Sequence, residues 1–494
     1  EKGTIFEGLS IWKQEKYRRL QGIYPVIFLS FADVKQNNYQ DAVQKIKNII
    51  VDAYRQHRYL EQEECFTQNE KQQMLEITEK MSDVTAQDAL KNLSSYLNLL
   101  YGKKVLIFLD EYDTPMQEAY IHGYWDEFVG FMRSLFNATF KTNPYLERAV
   151  MTGITRISKE SVFSDLNNLT VITTTSDAYA DCFGFTEEEV FQSLDQFGMP
   201  EKKDLVKQWY DGFCFGTHRD IYNPWSITNY LKEKKLRPYW AATSSNGLIS
   251  KLLQLASVNM KEELEKLINR QQIVVNFDEQ IIFGQLEQDE SAVWSLLVAS
   301  GYLKVEEIEY RGLTLEPWYS LSITNLETVS MFSNMFKSWF AAASANYNEF
   351  IKALLNGDVK AMNLYMNDIA LATFSNFDAG KHASERSQPE RFYHGFVLGL
   401  LVEVRDLYEV RSNRESGYGR YDVILIPRNL DRDAMILEFK VKETEEKTLQ
   451  ETVQKALAQI EIKKYDAELK ERGIPKERIR HYGFAFEGKK VLIG

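Results

Sequence analysis

Two acidic residues and one lysine in the last third of the chain have the types and the spacing of a divalent-cation site. Asp422 lies near the start of one apolar run, and Glu438 and Lys440 lie at the end of another. A turn-rich stretch, 427–433, separates the two runs, so we predict a hairpin centred near Leu430. In that register Asp422 lies opposite Glu438, and side-chain alternation places Lys440 on the same face as Glu438.

The two carboxylates suit Mg²⁺ or Mn²⁺, because both ions prefer oxygen ligands, and the lysine is their cationic partner. Carboxylates that face each other on a sheet also repel unless a positive charge lies between them. Such an ion lowers the pKa of a bound water and neutralises charge on a phosphate, while the lysine holds or polarises the attacking water. We therefore predict phosphodiester hydrolysis. The alternative is an exposed hairpin face with an ordinary ion pair between Glu438 and Lys440.

A second pair of carboxylates follows an apolar run nearer the N-terminus. The run 105–109 leads directly into Asp110 and Glu111, which places both at the carboxyl end of a buried strand, where open α/β sheets bind ligands. In a nucleotide-hydrolysing site the aspartate holds magnesium and the glutamate orients the attacking water. Alternatively, the pair only ends a strand and begins the next helix. Arg156, after the next run, is a candidate phosphate sensor or an ordinary surface or salt-bridged arginine.

The elements that position these residues follow from the periodicity of the sequence. Four compact apolar runs alternate with long helical stretches in the first part of the chain, at 25–31, 104–109, 148–154 and 169–174. They predict a buried parallel sheet wrapped by helices. From 186 to 345 the pattern is mainly helical, and a helix at 292–298 followed by a hairpin within 301–323 is compatible with a winged-helix module.

The last part of the chain returns to a mixed pattern. Helices precede the strands 421–426 and 434–439, a helix over 445–472 follows them, and a strand at 482–486 comes last. We therefore predict an α/β protein with three domains, at 1–185, 186–345 and 346–494.

Composition limits the possible classes of function. The 494 residues carry a net charge of -12, which excludes a broadly basic nucleic-acid coat, so any contact with nucleic acid must be local. The residues near the hairpin that are candidates for such a contact are Arg411, Arg414, Arg420 and Arg428, with Lys463 and Lys464 on the following helix. The alternative is a solvated surface of mixed charge. The three cysteines have no paired spacing, which argues against a disulfide framework and predicts a reducing compartment. No apolar run is long enough for a membrane helix, so we expect a soluble, cytoplasmic protein without a membrane partner.

Several short motifs resemble those of the bacterial AAA-ATPase-like family that carries a PD-(D/E)XK nuclease domain at its C-terminus. They are Leu-Asp-Glu-Tyr-Asp (109–113), Thr-Gly-Ile-Thr-Arg-Ile (152–157), Asn-Asn-Leu (167–169), Trp-Tyr-Asp-Gly-Phe (209–213) and Tyr-Asn-Pro-Trp-Ser (222–226). The resemblance covers nearly the whole chain. It implies a P-loop NTPase-like parallel sheet, and a restriction-endonuclease-like α/β domain at the C-terminus.

The resemblance also implies roles for individual residues. Asp110 and Glu111 match the Walker B pair, Thr152 ends the sensor strand, and Arg156 lies near the phosphates. In the nuclease domain Asp422 and the Glu438-x-Lys440 motif match the metal-binding strands.

The nuclease family usually adds a glutamate on a preceding helix and a polar residue on a following one. Glu390 fits the first position, but Ser387 and Glu390 also have the spacing of a capping box, which would give the glutamate a structural role. Gln459 fits the second position, where it would contact a metal-bound water or the substrate backbone. It could equally be a solvated helix residue, and Tyr465 shares this ambiguity.

One departure from the family pattern concerns ATP. The sequence contains neither G-x-x-x-x-G-K-[ST] nor the shorter G-K-[ST]. The family places this phosphate loop, and the central strand before it, ahead of the position that matches 6–9. We therefore expect that a native N-terminal segment with the first strand and the loop is missing here, and that ATP-Mg binds only if such an upstream loop exists.

The sequence thus predicts a Mg²⁺- or Mn²⁺-dependent nuclease domain coupled to an AAA-type ATPase-like module, with DNA as the expected substrate. The alternative is a nucleotide-regulated nucleic-acid-binding or signalling protein that does not cleave. A third interpretation is an ATPase motor with a structural C-terminal domain.

Overall fold

The computed structural model describes residues 3–154, 166, 168–241, 247–279, 289–341, 344–373, 387–416, 419–443 and 445–494. Contacts divide the chain into two compact units. One comprises 1–173 with 278–300, and the other comprises 174–277 with 301–494. Each unit is described by itself.

The first unit is built on a three-stranded parallel sheet with the order β1-β2-β3. Its strands are β1 (Val26–Ser30), β2 (Val105–Asp110) and β3 (Leu146–Met151). Its first helices are α1 (Glu15–Arg18), α2 (Tyr39–Gln56), α3 (Gln68–Leu75), α4 (Asp83–Tyr101), α5 (Thr114–His122) and α6 (Trp125–Phe136). The parallel sheet predicted from the apolar runs is therefore present.

Among the described residues, helices bury one face of this sheet. Ile27 and Ile107 point into the core, where α2 and α4 contact the sheet. On the opposite face Phe28 pairs in register with Phe108, which pairs with Val150, and the Phe28 side chain is 57% exposed. Parallel sheets ordinarily have both faces covered. Within the described part of the chain, the apolar row on this second face and the outer edge of β3 have no further strand against them.

The strand predicted at 169–174 does not form, which corrects that expectation. Its residues are not in a strand, and the Thr173 hydroxyl donates to Glu279. The carbonyl of Thr174 accepts from Gly216 N at 2.8 Å. A parallel strand needs a neighbouring strand in line with it, and in the described residues β3 ends the sheet on that side.

The middle of the chain contains two small antiparallel sheets, β4-β6-β5 and β7-β9-β8, and several helices. Their strands are β4 (Phe185–Thr186), β5 (Phe213–Phe215), β6 (His218–Tyr222), β7 (Ile273–Asn276), β8 (Leu303–Arg311) and β9 (Glu316–Ile323). The helices are α7 (Glu187–Gln196), α8 (Lys203–Tyr210), α9 (Pro224–Glu233), α10 (Gly247–Leu255), α11 (Val258–Ile268), α12 (Ser291–Ala299, within the first unit) and α13 (Leu326–Ser338). The predicted helix and hairpin correspond to α12 and β8–β9, and the winged-helix interpretation stays a prediction.

The Tyr-Asn-Pro-Trp-Ser motif has a structural role here. Asn223 caps α9 by accepting from the backbone N–H groups of Trp225 and Ser226. The hydroxyl of Ser226 donates to Glu327, a fully buried carboxylate at the start of α13 that also accepts from Trp240 N at 2.7 Å. Buried carboxylates are tolerated when hydrogen bonds satisfy them. Glu327 therefore fixes the start of α13 against α9 and the loop at Trp240.

The C-terminal part forms a five-stranded mixed sheet with the order β10-β11-β12-β13-β14. Its strands are β10 (Tyr408–Ser416), β11 (Gly419–Pro427), β12 (Ala434–Val441), β13 (Ile479–Glu487) and β14 (Lys490–Ile493). Its helices are α14 (Ser344–Asn356), α15 (Val359–Thr373), α16 (Ser387–Val404), α17 (Leu449–Lys463) and α18 (Ala467–Glu471). Only β12 and β13 run parallel.

The single helix predicted over 445–472 is two helices. Lys464 adopts a left-handed backbone conformation (φ +54°) and ends α17, and Tyr465 N then bonds to Ile460 O. After the break Tyr465 is buried against β11 and β12, in a cluster with Ile436, Ile460 and Leu469. A left-handed lysine has no strong sequence signal, because glycine or asparagine is the usual residue there.

Helix side chains close both edges of the C-terminal sheet. On α15, Asn363 forms paired hydrogen bonds with the backbone of Ile493, and Asn367 does the same with Val491, at 2.7–2.9 Å. At the other edge Glu265 of α11 accepts from Ser412 N at 2.8 Å. Unpaired edge strands invite association with other chains. These side chains take the place that a further strand would occupy.

Replacing Asn367 by alanine should lower the free energy of unfolding by about 1–3 kcal/mol, because the N–H and C=O groups of Val491 lose their partners. Urea denaturation of the full chain measures the change. Asn229→Ala is the matched control, since Asn229 is partly exposed and its side-chain amide donates within its own helix, to Trp225 O. Equal losses in the two variants would contradict the edge-closing role.

Candidate functional site

The site in the C-terminal sheet is positioned by the β11–β12 hairpin. Val423 pairs with Leu437, and Leu425 with Met435, which is the register predicted from the turn centre. Continuing this register places Asp422 opposite Glu438. The carboxylate of Asp422 crosses to the neighbouring strand, where its Oδ2 accepts from Phe439 N at 2.7 Å.

Glu438 is a buried carboxylate, only 2% exposed. Its Oε1 accepts from Gln459 Nε2 and lies 3.9 Å from Lys440 Nζ. Its Oε2 is buried and has no hydrogen-bond partner among the described residues. Burial, and then the negative charge of Asp422, raise the pKa of Glu438 to about 8, against a smaller opposing effect of Lys440.

Gln459 lies between the acid and the amine. Its Oε1 accepts from Lys440 Nζ at 2.7 Å, and its Nε2 also donates to the hydroxyl of Tyr465 at 3.0 Å. Gln459 is therefore not a solvated helix residue. The structure brings together Asp422, Glu438, Lys440 and Gln459, all of which the sequence singled out.

The donor set fits a divalent cation. A buried polar atom without a partner costs free energy, and Glu438 Oε2 is such an atom. A second carboxylate, Asp422, faces it across the hairpin, so the two residues offer the anionic oxygens that Mg²⁺ and Mn²⁺ prefer. Lys440 is 28% exposed and accessible to a ligand at the same edge. The arrangement can hold a cation and present an ammonium group beside it.

Glu390 lies in the first turn of α16, but its side chain falls outside the described residues, so neither the catalytic nor the capping-box interpretation is resolved. Arg156 and Asn167 also lie outside the described residues. Two of the arginines near the hairpin, Arg411 and Arg428, have contacts within the protein, and a contact of this region with a phosphate backbone stays a prediction. Arg411 pairs with Glu409 and Glu468, and Arg428 Nε donates to the Arg405 carbonyl.

At the carboxyl edge of the first sheet the structure joins two of the predicted residues. Thr152 Oγ1, directly after β3, donates to Asp110 Oδ1 at 2.5 Å. Glu111 follows with a left-handed backbone (φ +52°), and its carboxylate accepts from Thr114 Oγ1 at 2.9 Å. Such a conformation is costly for a glutamate and is concentrated at functional sites.

A third acidic group was not indicated by the sequence. Glu187, Asp211 and Asp220 lie close enough to share a ligand. The Lys207 ammonium already lies among them, in contact with Glu187 and 3.4 Å from Asp220. Burial and the neighbouring Asp220 raise the pKa of Asp211 to about 7. The lysine thus occupies the position that a cation would take.

Two family models match parts of the chain. Residues 1–163 match the family model described as predicted AAA-ATPase, and residues 388–494 match the PD-(D/E)XK nuclease superfamily. A protein of Azotobacter chroococcum mcd 1, described as "Uncharacterized protein in vnfD 5'region", is 24% identical over 386 residues, or 76% of this chain and 68% of that protein.

No solved structure matches the chain. Among the described helices, none combines the length and apolar character needed to cross a bilayer. The chain joins an AAA-ATPase-like N-terminal domain to a C-terminal domain of the PD-(D/E)XK nuclease superfamily.

Proposed function

We propose that the C-terminal domain is a nuclease that cleaves DNA with the help of Mg²⁺ or Mn²⁺. The observation that carries this proposal is Glu438 Oε2, a buried carboxylate oxygen that has no hydrogen-bond partner among the described residues. Asp422 lies opposite Glu438 in the hairpin register, and the other oxygen of Glu438, Oε1, lies 3.9 Å from Lys440 Nζ. In a purely structural site a neighbouring donor would satisfy Oε2.

Each residue has a separate task in the proposed site. Asp422 and Glu438 would hold the cation, which when bound lowers the pKa of a water and neutralises charge on the scissile phosphate. The backbone N–H of Phe439 fixes the carboxylate of Asp422. Lys440 uses one N–H for Gln459 and directs the others toward a water or a phosphate oxygen.

The charges of the middle region favour a nucleic-acid contact in the C-terminal domain. The β8–β9 hairpin carries the exposed acids Glu307, Glu309 and Glu316, which repel phosphates. In a winged-helix module the helix corresponding to α12 would enter a DNA groove, but α12 is buried from Ala292 to Val298. We therefore do not propose that α12 or the β8–β9 hairpin binds DNA.

The proposal is tested by incubating the full chain with labelled DNA, and in parallel with RNA, in Mg²⁺, in Mn²⁺ and in EDTA. Cleavage of DNA that requires the metal is the expected result. Binding of DNA with no cleavage under any of these conditions would contradict the nuclease and favour a binding protein. Preferential cleavage of RNA would contradict the choice of substrate.

Lys440→Ala should lower kcat by about 10²-fold while leaving the affinity for Mn²⁺ within about twofold, because the lysine stabilises charge in the reaction and is not a ligand. Single-turnover cleavage and metal titration measure the two quantities. Lys442→Ala is the control, since Lys442 pairs with Glu487. A large loss of metal affinity in Lys440→Ala would contradict this assignment.

We further propose that Asp110 and Thr152 belong to a nucleotide site that needs a phosphate loop which these 494 residues do not contain. The contact between the two side chains and the uncovered apolar face of the first sheet support this view. We expect the 494-residue chain to bind ATP-Mg with a Kd weaker than about 1 mM, which equals about 4 kcal/mol of binding free energy. Titration with a fluorescent ATP analogue measures this. Micromolar binding would contradict it.

A further inference from the structure

Trp225 is the large side chain of the Tyr-Asn-Pro-Trp-Ser motif that the fold leaves exposed. Tyr222, at the start of the motif, is fully buried, whereas Trp225 is 56% exposed. A tryptophan ordinarily contributes to stability through burial of its large ring. The packing of the protein therefore accounts for Tyr222 but not for the choice of tryptophan at position 225.

The backbone beneath this exposed ring is fixed at several points. Asn223 accepts from Trp225 N at 2.9 Å and from Ser226 N at 3.3 Å, and Pro224 lies in the first turn of α9. The Ser226 hydroxyl, in turn, donates to the buried carboxylate of Glu327 at 2.8 Å. A side chain on a rigid backbone loses less conformational entropy on binding. Trp225 is thus a pre-organised aromatic contact at the surface.

Lysines extend the exposed surface that begins at Trp225. Lys232 follows Trp225 by seven residues, or about two helical turns, so both lie on one side of α9, about 10 Å apart along its axis. Lys234 and Lys235 come next at the end of the helix, and all three lysines are exposed. We call Trp225, Lys232, Lys234 and Lys235 the α9 patch.

The positive charge of the α9 patch has no counter-charge among the described residues. Glu233, the acid within this stretch, pairs with Arg237, whose guanidinium also lies 5.0 Å from the centre of the Tyr239 ring. The three lysines of the patch form no ion pair with the described residues. In a chain with a net charge of -12, and beside the acidic β8–β9 hairpin of the same region, this is a local positive surface.

Helix formation explains only part of this group of lysines. The dipole of α9 favours a basic residue in the last turn, which accounts for Lys232. Lys234 ends the helix with a left-handed backbone (φ +56°), a position where glycine or asparagine is the usual residue. The lysine is therefore present at a conformational cost that helix termination does not require.

We propose that the α9 patch is a second contact site for nucleic acid, which binds a single-stranded segment by stacking a base on Trp225 and placing phosphates against the lysines. Sites for single strands combine an aromatic ring with positive charge in this way, and the bases within a duplex are not free to stack on a side chain. The choice of nucleic acid as the ligand rests on the proposed nuclease function.

The shape of the patch distinguishes this ligand from an anionic membrane. A helix that lies on a membrane buries a continuous apolar face in the lipid. Between Trp225 and Lys232, the positions on the same side of α9 are the polar residues Thr228 and Asn229, and its apolar residues Ile227 and Tyr230 are buried in the protein. One ring beside several lysines suits a base and its neighbouring phosphates better.

Binding of the full chain to fluorescein-labelled oligothymidylate tests the role of the ring. Fluorescence anisotropy is measured in EDTA, with a labelled duplex in parallel. Trp225→Ala should weaken binding of the single strand about 10-fold and change duplex binding less than about twofold, because only the stacked base is lost. Trp225→Phe keeps a stacking face and should bind within about threefold of the wild type. Tyr310→Ala is the control, since Tyr310 is 63% exposed on β8 beside acidic residues.

The salt dependence of the same binding tests the lysines. Each phosphate contact to a single strand contributes about 0.7 to the slope of log K against log salt concentration, so replacing the three lysines of the patch by alanine should reduce that slope by about 2. Trp225→Ala should leave the slope unchanged. The charge-matched control replaces Lys266, Lys337 and Lys352, each of which pairs with a glutamate, and should keep the wild-type slope.

The inference is overturned if Trp225→Ala binds the single strand as tightly as Tyr310→Ala, or if the wild-type chain does not bind it. Vesicles that contain phosphatidylserine provide a further comparison. If they bind through the α9 patch while the variants keep wild-type affinity for DNA, the patch belongs to a membrane contact and the inference is again overturned.

Measurement in EDTA keeps this inference separate from the nuclease proposal. If Trp225→Ala weakens single-strand binding but the wild type cleaves under no metal condition, the nuclease proposal fails and the α9 patch stands. If the wild type cleaves DNA with Mg²⁺ or Mn²⁺ and Trp225→Ala binds normally, the nuclease stands and the α9 patch fails.

Discussion

Replacing Asp422 by asparagine is expected to reduce metal-dependent DNA cleavage by about 10²–10³-fold. Asparagine keeps the shape of the side chain and can still accept from Phe439 N, so the hairpin should be retained. It removes one of the two negative charges that face each other across β11 and β12. The loss should appear mainly as a weaker affinity for Mg²⁺ and Mn²⁺, and saturating metal should recover part of the rate.

Asp433→Asn provides the matched control for this experiment. Asp433 precedes β12 and pairs with Arg480, at the opposite end of the strand from Glu438. Its loss should leave the rate and the metal requirement unchanged. If Asp422→Asn cleaved as fast as Asp433→Asn at every metal concentration, Asp422 would not be a ligand.

Glu438→Gln should abolish cleavage and yet stabilise the metal-free protein at high pH. The pKa of Glu438 in the folded protein is raised to about 8, from an ordinary value of 4.5, because the side chain is buried and faces Asp422. A carboxyl with a raised pKa favours folding in its neutral form. Its contribution to stability is therefore complete below pH 4.5 and is lost as the pH rises through about 8.

The size of this effect follows from the shift. One pKa unit corresponds to about 1.4 kcal/mol, so the wild-type protein without metal should lose about 2–5 kcal/mol between pH 4.5 and pH 9 from this group. Glutamine does not titrate, so its contribution to the free energy of unfolding does not change over this pH range. At pH 9 without metal, Glu438→Gln should unfold at a higher urea concentration than the wild type, and at pH 4.5 the two should be similar.

At pH 9, Mn²⁺ should make the wild-type protein more stable than Glu438→Gln. A cation bound between the carboxylates stabilises the folded wild-type protein and offers little to the glutamine variant. Urea denaturation with and without Mn²⁺ provides both comparisons, and the exposed Glu471→Gln serves as the control. If Glu438→Gln were less stable than the wild type at pH 9 without metal, the charge on Glu438 would not be a source of strain.

The central part of the site could be predicted from the sequence because it depends on local rules. The turn centred near Leu430 sets the register, and side-chain alternation then sets the faces, so Asp422 and Glu438 meet as predicted. The contact of Gln459 with both partners was an open alternative, because a helix position alone does not show which face packs on the sheet. Tyr465 depends on the left-handed Lys464, which the sequence does not signal.

The fold outside the site was predicted less completely, for a physical reason. The outer strands β10 and β14 were missed because their sequences are short or interrupted by charged residues. The structure holds them with side chains distant in sequence, Asn363 and Asn367 at one edge and Glu265 at the other. Such tertiary support overrides local propensity and cannot be read from a single segment.

The most direct test of the proposed metal site is a calorimetric titration of the full chain with Mn²⁺ at pH 8. We predict one ion bound per chain in the wild type, a loss of that binding in Asp422→Asn and in Glu438→Gln, and its retention in Asp433→Asn. Absence of binding in the wild type, or equal binding in all four proteins, would show that Asp422 and Glu438 do not form a metal site.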